Sequence, residues 1–299
     1  MLTQTSKPLI EWPDPFVELL GFIVSFLASG AIGFRFAVLG RRVRSMLAGD
    51  ENESVIDRAA LRAAAVGAAG GVGMLLTMLN NLPQAAARQH LTVQRLLATN
   101  LVSALQLVAA SLAVIGFVLA LAKIRSGWAI AAAGVIGLPL VPFASGNWTR
   151  AVNPIHETVA GLWIGTLFVM LFAGLGTVRK SGISAQRRGL ISAEMVHSFS
   201  PLALSAAGVL ALSGVITAWR HLKHLSALWT TPYGYALIVK LTLVLVVLAL
   251  GAWNWRRQRP ILGSEAAADA LRKSATAELI AAGAVLMVTA ILVSLPSPR

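Results

Sequence analysis

Long apolar runs separated by short polar segments dominate the pattern of this chain. A helix rising about 1.5 Å per residue needs about 20 mostly apolar residues to cross a hydrocarbon core about 30 Å thick. Eight stretches meet or approach that length, at about 16–39, 59–79, 96–121, 128–144, 154–178, 201–219, 233–253 and 276–295. The pattern predicts an all-α polytopic membrane helix bundle of about eight transmembrane helices, forming one integral membrane domain over residues 1–299. The fourth stretch is short and holds Pro139 and Pro142, which remove backbone donors and predict a kink. Asn153-Pro154 and Ser200-Pro201 each set a capping side chain before a proline, predicting the starts of the fifth and sixth helices. Small residues crowd the second helix, among them Ala63, Ala64, Ala65, Gly67, Gly70, Gly71 and Gly73, and predict close approach of a neighbouring helix. The polar stretch 49–57 reads as a loop, and no internal repeat is visible.

Composition sharpens this picture. Hydrophobic residues make up 57% of the chain and charged residues 12%, against about 25% charged in an ordinary soluble domain. A water-soluble globule is excluded. The formal charge of +13 lies between apolar runs rather than along a polar face, so it does not point to a nucleic-acid partner. Sixteen of the 25 Lys and Arg residues follow helices one, three, five and seven, seven lie on the opposite side, and Arg35 and Lys240 fall inside spans. The positive-inside rule then places both termini outside the cytoplasm. Glu11, Asp14 and Glu18 stand where a cleaved signal would carry a basic leader, and the first apolar run is long for a signal core, so it reads as a retained span.

The chain contains no cysteine, which excludes disulfides, thiolate metal sites, iron–sulfur clusters, thioether-linked heme and cysteine nucleophiles. His, Met, Asn and carboxylates are left as metal ligands. No nucleophile–base set or phosphate loop supports a hydrolase or kinase, and the expectation is a protein that is not an enzyme.

Several motifs occur in a recognisable order. They are His156-Glu157-Thr158 followed by Trp163-Ile164-Gly165; Phe199-Ser200-Pro201; Leu212-Ser213-Gly214 through Thr217-Ala218; Thr231-Pro232-Tyr233-Gly234 with Lys240; Asn254 with Arg256, Arg257 and Pro260; and Glu278. Over about residues 150–295 the set resembles the copper resistance protein CopD family. The resemblance implies an eight-helix protein of the bacterial inner membrane concerned with copper uptake or tolerance, working beside a periplasmic copper-binding partner. Gly146-Asn147 stands where many relatives carry Gly-His, and the first helix has no histidine.

Reduced copper prefers thioether and imidazole ligands, and oxidised copper prefers nitrogen and oxygen. His156 opens the fifth helix, while Met74 and Met78 share one face near the outer end of the second. Were the two helices neighbours, these residues would make a Met-Met-His site; otherwise the methionines are packing or lipid-facing residues. His221 and His224 are spaced to face one way from the outer segment after helix six, either capturing oxidised copper or simply solvated beside Arg220 and Lys223. His90, in the outer loop after helix two, is a weaker candidate.

Charge inside a membrane is costly and tends to be functional. Lys240 lies seven residues past Tyr233, about 10 Å below the outer end of its helix. It either pairs with Glu157 or snorkels to the surface. Glu278, His197 and Asn254 fall near the inner ends of their helices and would form an inner polar station. Arg35 reads as snorkelling. Tryptophans 12, 128, 148, 219, 229, 253 and 255 read as interface anchors, and Trp163 as a buried ring packing over a site below His156.

These readings lead to a membrane protein moving or handling copper ions between periplasm and cytoplasm, with lipid, copper and a periplasmic copper-binding protein as partners. A non-transporting subunit that delivers copper to a partner is the second reading. Electron transfer through heme is disfavoured, because heme needs histidine pairs at matched heights on facing spans and His156 is the one histidine within a predicted span. No heme is expected.

Overall fold

A computed structural model describes residues 12–40, 43, 50–146, 151–222, 224–257 and 265–296. Among them eight helices are long and apolar enough to cross a membrane, and no strand occurs. The protein is an all-α polytopic membrane bundle.

Helix α1 (Asp14–Gly33) continues as a π turn, Phe34–Val38. Helix α2 (Asp50–Arg88) absorbs Pro83 and most of the polar stretch expected to be a loop, whose residues form its first turns. A short helix, α3 (Val93–Thr99), is capped by Thr92 and separated from α4 (Leu101–Leu121) by Asn100, whose side chain accepts from the Ser103 amide. The expected third span is therefore two helices. Helix α5 (Ser126–Gly137) tightens into a 3-10 segment, Leu138–Ser145, where Pro139 and Pro142 remove α-helical donors. Span α6 (Val152–Arg179) is interrupted by π turns at Gly161–Gly165 and Met170–Leu175.

Helix α7 (Ala185–Leu222) runs unbroken through Pro201, so Ser200-Pro201 is not a helix start. The Ser200 hydroxyl instead donates to the Val196 carbonyl one turn back. Residues 185–200 carry Gln186, Arg187, Arg188 and Glu194, which a search for apolar runs passes over. A short α8 (Ala227–Thr230) leads into α9 (Pro232–Arg257), and α10 (Glu265–Ser294) closes the described chain.

Helix α1 is the central post, packing on α2, α5, α6 and α10. Glycines make this possible. A β-carbon on Gly30 would strike the Gly165 backbone, and one on Gly165 would strike the Phe26 carbonyl. The small residues of α2 divide between two neighbours: Gly70 and Gly73 lie against Val24 and Ala28 of α1, while Gly67 and Gly71 lie against Phe117 of α4. Close approach of this kind supplies van der Waals contact where lipid removes the hydrophobic drive for helix association. Helix α9 is peripheral, packing chiefly on α10 with only 11% of its span buried.

Two side chains depart from expectation. Trp128 is buried rather than an interface anchor, set edge-on to Phe117. Arg35 does not simply snorkel: its guanidinium lies 5.6 Å from the Trp128 ring centroid, and its Nε is buried without a hydrogen-bond partner. Trp12, Trp219, Trp229 and Trp253 are exposed, as anchors require.

Candidate functional site

The start of α6 lies against the far end of α7, and polar side chains line this contact. His156 and Asn153 are three apart on α6; Ser213, Thr217 and His221 recur every fourth residue on α7. Both spacings keep the groups on one helical face. His156 Nδ1 lies 2.8 Å from Ser213 Oγ. One turn along, the Thr217 hydroxyl donates to Asn153 Oδ1 at 3.0 Å. Asn153 is thus not a helix cap, since its carbonyl oxygen serves this contact between helices and no side chain caps α6. The next member, His221, donates from Nδ1 to the Thr217 carbonyl at 2.8 Å and lies nearly parallel to Tyr233 at 6.0 Å between centroids. His156 and Ser213 face each other inside the spans, Ser213 being buried. Gly214 adjoins the ring at Cε1, where a β-carbon would sit 3.6 Å away.

Lys240 is half-buried on α9. It makes no ion pair with Glu157 among the described residues. Adjacent helical positions point about 100° apart, so His156 faces α7 while Glu157 turns to α1, where it hydrogen-bonds Ser25. Apolar packing holds the middle of α9: Val247 joins Ala282 and Val285 of α10, with Trp163 and Ile164 of α6 against them. Trp163 lies in the Gly161–Gly165 π turn and packs against this cluster and the main core.

The second helix does not bring Met74 and Met78 to His156. Helix α2 packs on α1 and α4 and meets α6 at its other end, where Arg62 donates to Thr177 at 3.0 Å. Met74 packs against the main core, and Met78 against Leu82, Ala86 and Leu96. The methionines are packing residues in this arrangement. His224 is exposed in the turn before α8, outside the helix, while His221 is tied to α7. His90 is exposed and has a left-handed backbone, φ 56°. Asn147 lies outside the described residues.

A second polar cluster joins α9 to α10. The Asn254 amide donates to Glu278 Oε1, and Ser274 donates to Asn254 Oδ1. Both Asn254 and Glu278 are buried. His197 is half-buried on α7. Among the described residues no three of His, Asp and Glu form a group that could hold a metal ion.

Sequence reasoning did not anticipate Ser25, Asn153, Ser213, Thr217 and Ser274 as hydrogen-bonding groups around the candidate residues. The available signal was the Asn153/His156 and Ser213/Thr217/His221 periodicity on two polar helix faces.

Residues 193–292 match the family model for copper resistance protein D. Copper transport protein CutJ of Bacillus subtilis (strain 168) is 31% identical over 147 residues, covering 48% of this chain and 25% of CutJ. The matched stretch therefore spans a quarter of that relative's length. No solved structure matches the chain. By its motifs and by these matches the chain resembles the copper resistance protein D family, most plainly over 193–292, the stretch that holds Ser213, Lys240, Asn254 and Glu278.

Proposed function

We propose that this multi-pass membrane protein handles copper ions, passing them between the two sides of a bacterial inner membrane without covalent chemistry. The observation that carries the reading is the His156–Ser213 contact: a membrane-embedded imidazole is held by the α7 segment that matches a copper resistance family. Imidazole suits either oxidation state of copper. Passage also needs ligands that release as readily as they bind, which favours His156 as a point of transient contact. His221, on the same face of α7, is the next nitrogen toward the helix end. Asn254 and Glu278 supply a polar station on the other pair of helices. The Bacillus subtilis relative is a copper transport protein by name, which supports copper as the cargo.

Copper content of cells carrying wild type or His156→Ala at equal membrane abundance tests the reading. Wild type should change cellular copper relative to cells lacking the protein, and His156→Ala should abolish that change. Equal copper in the two strains would remove His156 from the path. Vesicles reconstituted with purified protein separate movement from delivery to a partner: protein-dependent copper flux is expected, and its absence alongside intact binding of a periplasmic copper protein would favour the delivery role.

A further inference from the structure

The Ser213 hydroxyl has one proton and two close neighbours. It lies 2.7 Å from the Val209 carbonyl, with the Leu210 carbonyl further off at 3.4 Å, and 2.8 Å from His156 Nδ1. A carbonyl only accepts, so the hydroxyl proton must point to the helix backbone if both short contacts are hydrogen bonds. Ser213 then meets His156 with a lone pair, and Nδ1 must be the nitrogen that carries the hydrogen. In the neutral ring this leaves Nε2 bare. His221 shows the same polarity, because its Nδ1 faces the Thr217 carbonyl and can only donate there.

We propose that Ser213 is a positioning residue that fixes His156 in the Nδ1–H tautomer and so presents Nε2 as the nitrogen offered to a soft metal cation. The logic is that of an outer-shell partner which orients a metal-binding imidazole through its other nitrogen. The burial of Ser213 strengthens it: the hydroxyl is screened from water and held by its own helix. The choice of cation rests on the copper reading above; the tautomer does not.

The test uses full-length protein with 15N-labelled histidine in lipid nanodiscs, held about two pH units above the ordinary histidine value of ~6.5. Loss of one signal pair in His156→Gln assigns the ring. Wild type should show a protonated Nδ1 and a bare Nε2, Ser213→Ala should move hydrogen onto Nε2, and Ser213→Thr, which keeps the hydroxyl, should restore the wild-type pattern. Wild type carrying its hydrogen on Nε2, or Ser213→Ala matching wild type, would overturn the proposal. The wild-type spectrum decides the tautomer even if Ser213→Ala fails to fold. Silver(I), a redox-inert stand-in for reduced copper, should shift Nε2 in wild type and bind about tenfold more weakly to Ser213→Ala. A shift at Nδ1 instead overturns the assignment of Nε2. No silver response at either nitrogen overturns the soft-cation role and with it the copper reading, while the tautomer pattern still stands or falls on the first spectra.

Discussion

At the scale of single residues, the helical period decides which polar groups meet. His156 and Glu157 are neighbours in sequence but turn to different helices, one to Ser213 and the other to Ser25. Pairing Glu157 with Lys240 from their similar depth overlooked this angular term. Depth comes directly from counting residues along a span; azimuth depends on which helices are neighbours, which a single sequence does not state. The sequence places Glu278, His197 and Asn254 near the inner ends of their helices; of these, Asn254 and Glu278 share a hydrogen bond, which Ser274 extends. Replacing Asn254 by alanine leaves a buried carboxyl without its amide donor and frees the Ser274 hydroxyl. The expected loss is roughly 1–3 kcal/mol, read as a lower thermal midpoint of purified protein in detergent. An unchanged midpoint would mean the cluster contributes no stability.

At the scale of elements, all eight spans were visible as apolar runs, and the errors share a cause. Proline and a polar stretch read as boundaries in sequence, yet Pro201 and the residues after Asp50 sit within continuous helices. Hydropathy finds the part of a helix in lipid and is blind to the turns that leave it. The small residues of α2 were recognised as a close-packing surface, but not that they serve two neighbours at once. Glycine position, rather than glycine content, governs packing here. Gly165→Val should prevent α1 and α6 from closing, because its β-carbon collides with backbone at Phe26; little monodisperse protein should survive size-exclusion chromatography. Gly208→Ala, on α7 with open space around it, should be tolerated and gain about 0.5–1 kcal/mol of helix stability. Similar behaviour of the two variants would contradict the packing described for α1.

At the scale of the whole molecule, the charge asymmetry predicts sidedness. Reporter fusions in the 180–184 segment should be active only in the cytoplasm, and fusions in the 224–231 segment only outside it. The reverse pattern would invert the route proposed for the cargo. One dimension of the bundle also bears on how it can be imaged. Helix α7 has 38 residues, about 57 Å of rigid rod, and still spans about 54 Å at an ordinary tilt near 20°. The hydrocarbon core accounts for about 30 Å of that. A 31.4 kDa bundle hidden in a micelle offers little for particle alignment in electron microscopy, but a helix end standing clear of detergent is an attachment point for an antibody fragment. The exposed turn at Ala185–Arg187 would pass that fragment's orientation straight to the helix that carries Ser213.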